Sequence, residues 1–98
     1  MNERLTDNLV RKALSPARGL LIVWDSEVKG FGLRITPGGA KSFLVDYRAG
    51  GRQRRMTIGS FPDWSSTAAR EQARAIKRAV DLGQDPMEER AVERASPF

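Results

Sequence analysis

Three stretches of this chain alternate apolar and polar residues with a period of two. Phe31, Leu33 and Ile35 interleave with Gly32, Arg34 and Thr36. Phe43, Val45 and Tyr47 interleave with Ser42, Leu44, Asp46 and Arg48, and Met56 and Ile58 with Arg55 and Thr57. Period two is that of a strand with one buried face. Pro37-Gly38-Gly39 and Ala49-Gly50-Gly51 separate the stretches and read as tight turns. Leu20 to Asp25 adds a further extended segment rich in β-formers, Ile22, Val23 and Trp24. The pattern predicts strands over 20–25, 31–36, 41–48 and 52–59, joined as an antiparallel meander.

Beyond residue 59 the period changes. Phe61-Pro62-Asp63-Trp64 breaks the alternation, and Ser65 or Ser66 is placed to cap a helix running to about Leu82. Its apolar stripe is Ala69, Ala73, Ile76 and Val80, spaced 4, 3 and 4, which is one helical face. Arg70, Arg74, Lys77 and Arg78 fall largely off the stripe and read as a solvated face. Gly83 suits the left-handed position after the helix end. At the other end of the chain, Thr6 caps a short helix through Asp7, Leu9, Val10, Ala13 and Leu14, stopped by Ser15-Pro16. The expected fold is α+β: a three- to four-stranded antiparallel sheet packed on one long helix, with a short N-terminal helix. Trp24, Phe61 and Trp64 are expected at the edges of the core. Residues 1–85 make the domain. Residues 86–98 carry no sustained apolar face and read as a polar linker.

Composition narrows the chemistry. The 98 residues include no cysteine and no histidine. That excludes disulfides and removes the commonest general base and the commonest nitrogen ligand for metals. No cofactor is expected, and no catalytic residue stands out: Tyr47, the one tyrosine, falls on the apolar parity of its strand. The longest apolar run, Leu20 to Trp24, is far too short for a membrane span, and the N-terminal residues lack the apolar stretch of a signal peptide. A cytoplasmic protein is the expectation.

Charge adds a location. The net charge is +5, and residues 34–58 alone carry Arg34, Lys41, Arg48, Arg52, Arg54 and Arg55 against Asp46. The rest of the chain is balanced, so the excess sits in the strands. A polyanion partner follows. The face of the sheet left open by the helix would present Arg34, Thr36, Ser42, Leu44, Arg48, Arg55 and Thr57, with Lys41, Arg52 and Arg54 flanking it. A small sheet fits the major groove of B-DNA, where arginine reads guanine or holds phosphate, hydroxyls do either, and an aliphatic side chain such as Leu44 meets a thymine methyl. Asp46 is discordant: it either pairs with an arginine and orients it, or accepts from a cytosine amino group. Single-strand binding relies on exposed stacking aromatics, and Phe31, Phe43 and Tyr47 all take the buried parity. The alternative is a protein-interaction module whose helix or tail contacts other subunits or accessory factors.

A series of motifs in order carries a resemblance: Leu5-Thr6-Asp7, Trp24-Asp25, Gly30-Phe31-Gly32-Leu33-Arg34-Ile35-Thr36-Pro37, Lys41-Ser42-Phe43, Tyr47-Arg48, Gly51-Arg52, Ile58-Gly59-Ser60-Phe61-Pro62 and Ala68-Ala69-Arg70. The series resembles the N-terminal arm-type DNA-binding domain of phage-like integrases, the tyrosine recombinase family, over roughly residues 5–90. The resemblance implies a sheet that enters the major groove of arm-type sites, with other integrase subunits or accessory DNA-bending proteins as further partners. It also implies that the complete protein recombines DNA through a catalytic domain absent from these residues.

Overall fold

A computed structural model describes residues 4–86. Helix α1 spans Asp7–Lys12, and strands β1 to β4 span Leu21–Trp24, Phe31–Ile35, Lys41–Ala49 and Arg52–Ser60. Helix α2 spans Ser66–Asp81. The sheet has the order β1-β2-β3-β4, every neighbour antiparallel. Strand β1 belongs to it fully, so the sheet has four strands. All but the first residue of the expected polar linker lies outside the described residues.

The alternation places one row of apolar side chains under α2. Leu33 pairs with Phe43 and Phe31 with Val45, while Val45 pairs with Met56. Against this face α2 sets Ala69, Ala73 and Ile76, all buried. The small alanines bring the helix close to β3 and β4. Phe31 and Phe43 stack with centroids 5.8 Å apart, and Phe61 meets Phe43 edge-on at 6.4 Å. Such pairs add about 0.5–1.5 kcal/mol beyond the area they bury. Phe61 and Trp64 pack on the core margin as expected, with the Trp64 indole against Gly59. Trp24 does not: it projects from the opposite face of the sheet.

Both helices begin where capping chemistry dictates. The Thr6 hydroxyl accepts from the Leu9 amide and the Ser65 hydroxyl from the Ala68 amide. Helix α1 ends at Lys12, two residues short of the expected Leu14, because Ala13 is already extended. The carbonyls freed there are taken by the Lys41 ammonium, which donates to Val10 O at 2.8 Å and Arg11 O at 3.2 Å. Leu14 is left exposed.

Arg70 corrects the reading of α2 as carrying only solvated cations. It is 3% exposed. Its guanidinium donates to Asp25 Oδ1 at 2.9 Å and to the Leu5 carbonyl. Asp25 also accepts from the backbone amides of Leu5 (2.8 Å), Glu27 (2.9 Å) and Val28 (2.7 Å). Burial alone would raise the Asp25 pKa. The Arg70 hydrogen bond and the Leu5 and Val28 amides outweigh it and hold the carboxyl below its ordinary value. This network locks the N-terminal segment, the β1–β2 connection and α2 together.

Candidate nucleic-acid interface

The sheet face opposite α2 is built from the other parity of each strand. Strand pairing orders it in rows. Ile22, Arg34 and Ser42 form one row, with Ser60 beyond Ser42. Trp24, Gly32, Leu44 and Thr57 form the next, then Asp46 with Arg55, and Arg48 with Gln53 at the far end. Arg34, Arg48 and Arg55 therefore share one face, as their alternation predicts. Arg34 lies beside Ser42, six residues before Arg48 along β3, so the two arginines bracket roughly 20 Å of strand. Neither has an ion pair among the described residues. Arg52 is exposed at the start of β4, and Thr57 is exposed beside Leu44.

Arg55 and Asp46 form the pair that explains the acidic residue. Arg55 Nε donates to Asp46 Oδ1 at 2.8 Å and Nη2 to Oδ2 at 3.0 Å. The carboxylate's hydrogen bonds hold the Arg55 guanidinium above its ordinary pKa. The guanidinium also lies 5.8 Å from the Trp24 ring centroid, within cation–π range. Trp24 reaches this position by lying over Gly32, where a Cβ would come within 2.9 Å of the indole. Trp24 from β1 and Arg55 from β4 thus meet above β3. Alternation in β2, β3 and β4 suggests a face free of aromatics, and the structure does not bear this out. The face carries this tryptophan, half-buried and stacked on an arginine.

Four residues expected on or around the open face are placed differently. Leu44 has the outward parity yet is 1% exposed, because the cover formed by Trp24 and Arg55 shields it, at a β-bulge between Phe43 and Leu44. Lys41 is turned to the end of α1. Arg54 shares the helix face with Tyr47 and forms an ion pair with Asp85 at 2.9 Å, and the Tyr47 hydroxyl donates to the same carboxylate at 2.7 Å. The Thr36 hydroxyl accepts from the Ala40 amide at 3.1 Å and closes the β2–β3 turn. Ser42 stays on the face, half-buried between Arg34 and Ser60.

The hairpin β3–β4 runs past the end of the β1–β2 pair. At the junction Gly30 has φ +86° and its carbonyl accepts from the Asp46 amide at 2.8 Å. A Cβ there would stand 2.6 Å from the Asp46 carbonyl oxygen, so only glycine fits. Below the projecting ribbon, Trp24, Lys29, Tyr47, Arg48, Lys77 and Val80 line much of a groove of about 540 Å³. Among the described residues no cluster has the composition of a metal site, and no helix is long and apolar enough to cross a membrane.

Residues 5–93 match the family described as Arm DNA-binding domain. The chain belongs to that family. The arm domain is also 35% identical over 86 residues to the prophage integrase IntF of Escherichia coli (strain K12), an alignment covering 88% of this chain. It spans 18% of that integrase's length. Alternation places Asp46 on the open face of this arm domain, where it takes the arginine-pairing role, but it does not place Trp24 there. The signal for Trp24 was present: a glycine, Gly32, stands in register with it on the neighbouring strand, leaving room for a large flat side chain.

Proposed function

We propose that this arm domain binds duplex DNA by laying the open face of its sheet into the major groove of arm-type sites, as the N-terminal domain of a phage-like integrase in site-specific recombination. The observation that carries this reading is the pairing state of the six cations in residues 34–58. Lys41 and Arg54 are taken up by partners within the domain. Arg48 and Arg52, both exposed, and Arg34, half-buried, have no carboxylate partners among the described residues and are the phosphate anchors. Ser42 and Thr57 lie between them and supply hydroxyl contacts. Strand cleavage belongs to a catalytic domain elsewhere in the parent protein, acting with other integrase subunits on the nucleoid in the cytoplasm.

Fluorescence anisotropy on a labelled duplex at several salt concentrations tests this. Three phosphate contacts correspond to a slope of log K against log salt near −3, at about −0.9 per phosphate. Arg34→Ala and Arg48→Ala should each reduce the magnitude of that slope by about 1. A slope near zero, or no binding at low salt, overturns the reading and favours the protein-interaction alternative.

A further inference from the structure

We propose that Arg55 is a guanine-reading residue of the arm domain, with Asp46 and Trp24 as the positioning residues that hold it for that task. The inference rests on the reading of the open face as a DNA surface and assigns that surface a source of sequence preference.

The geometry of the ion pair makes the argument. A guanidinium has five N–H donors in a rigid fork. Asp46 engages the side of that fork, through Nε and Nη2 at 2.8 and 3.0 Å. The outer edge keeps its parallel donors, one on Nη1 and one on Nη2, directed away from the carboxylate. That edge is the one that matches O6 and N7 of guanine in the major groove. The Arg55 side chain is 45% exposed, so the edge is accessible, while the Trp24 ring restricts the guanidinium plane from one side.

Charge separates base reading from phosphate binding. The Asp46–Arg55 pair is neutral as a unit, and a phosphate brought to Arg55 would also approach a carboxylate. The guanine acceptors are uncharged and meet no such repulsion. Among the described residues Arg34 and Arg48 have no carboxylate partner, and they suit phosphates. The open face therefore divides into cationic ends and a neutral, rigid centre, and it is the centre that can tell one base pair from another. Burial of Leu44 beneath the pair fixes the platform on which it stands.

The test uses the whole 98-residue chain and a duplex it selects from a pool of random short DNA. Each guanine is replaced in turn by 7-deazaguanine, which pairs normally but lacks the N7 acceptor. One position is expected to weaken binding by at least about 5-fold, the lower end of the range for a whole bidentate base contact, since O6 is retained. In Arg55→Ala, which removes the fork, the penalty at that position should shrink to within twofold. In Asp46→Asn the penalty should also shrink, while binding to random duplex holds or rises, because a negative charge is gone. A merely structural Asp46 would instead lower binding to selected and random duplexes equally, together with the melting temperature. The proposal is overturned by that outcome, by an unchanged penalty in both variants, or by the absence of any sensitive guanine. Failure of the wild-type chain to retain any duplex overturns the reading of the face itself, and it does so before the variants are compared.

Discussion

The side chain of Asp7, at the start of α1, accepts a hydrogen bond from the backbone amide of Ser66, at the start of α2, at 2.8 Å. One helix's first residue thus caps the other helix, 59 positions along the chain. Ser66, through its amide above all, holds the Asp7 carboxyl below its ordinary pKa, and the charge of Arg11 adds the smallest contribution. Ser65 covers the Ala68 amide, so two of the four unpaired N–H groups of α2 are satisfied by side chains. Asp7→Ala is expected to cost about 0.5–2 kcal/mol, the usual loss for a cap, and to lower the melting temperature by several degrees. Thermal unfolding followed by circular dichroism at α2's helical signal checks this.

Arg70 and Arg74 lie one helical turn apart on α2 and should respond very differently to removal. Arg74 is more than a third exposed and pairs with Glu27 and Glu71 at the surface, so Arg74→Ala should cost less than about 1 kcal/mol. Arg70→Leu strands a buried Asp25 carboxylate and should cost about 3–5 kcal/mol. Urea denaturation of both variants decides it. Equal losses would mean that the buried network carries no special weight.

Acid should unfold this domain through Asp7 and Asp25. Both carboxyls titrate lower in the folded chain than their ordinary values, whereas unfolded aspartates titrate near about 3.9. Above that pH both states are ionised and the stabilisation is complete. As pH falls below it the unfolded chain binds protons first, and the contribution is lost as pH falls through the folded values. The urea midpoint should be flat between pH 7 and 5 and fall below about 4. Asp7→Asn, which keeps a capping oxygen, should blunt that fall. An identical acid profile in the variant would exclude Asp7 as a contributor.

Lys41 separates charge on the sheet from charge spent on the fold. Its ammonium caps α1, so Lys41→Met should cost about 1 kcal/mol of stability and leave the salt slope of DNA binding unchanged. Arg48→Ala should do the reverse. Paired measurement of melting temperature and salt slope distinguishes the two; a reduced slope in Lys41→Met would place its charge on the DNA.

Leu44→Ala should cost about 2–5 kcal/mol, as for a core leucine, although its parity points away from the core. Chemical denaturation gives the loss directly. A cost below about 0.5 kcal/mol would mean that the Trp24 and Arg55 cover does not pack on it.

The residues that were legible in advance are those whose environment is set by local period. Phe31, Leu33 and Ile35 bury because alternate positions on a strand share a face, and Ala69, Ala73 and Ile76 bury because they share a helical stripe. The same local rule located Arg34 and Arg48. What it did not locate depends on partners distant in the chain. Leu44 is buried because Gly32, twelve residues earlier, lets Trp24 cross over it. Arg54 is drawn to Asp85 and Lys41 to α1, pairings that no window of residues around either contains. Arg70 is an intermediate case. It lies four residues after buried Ser66 and three before Ala73, so helical period alone admits it to the packed face, and its charge was the reason to set it outside.

The Asp25–Arg70–Leu5 network joins positions 5, 25 and 70. Its consequence is temporal as well as spatial. A chain emerging from synthesis holds Leu5 and Asp25 long before Arg70 exists, and until then the Asp25 carboxylate has only water and nearby amides to meet. Closing the network spans nearly the whole domain, a long-range step of the kind that makes folding slow. No break between residues 5 and 70 leaves all three members on one fragment, so a cut anywhere along that span divides the network between two pieces.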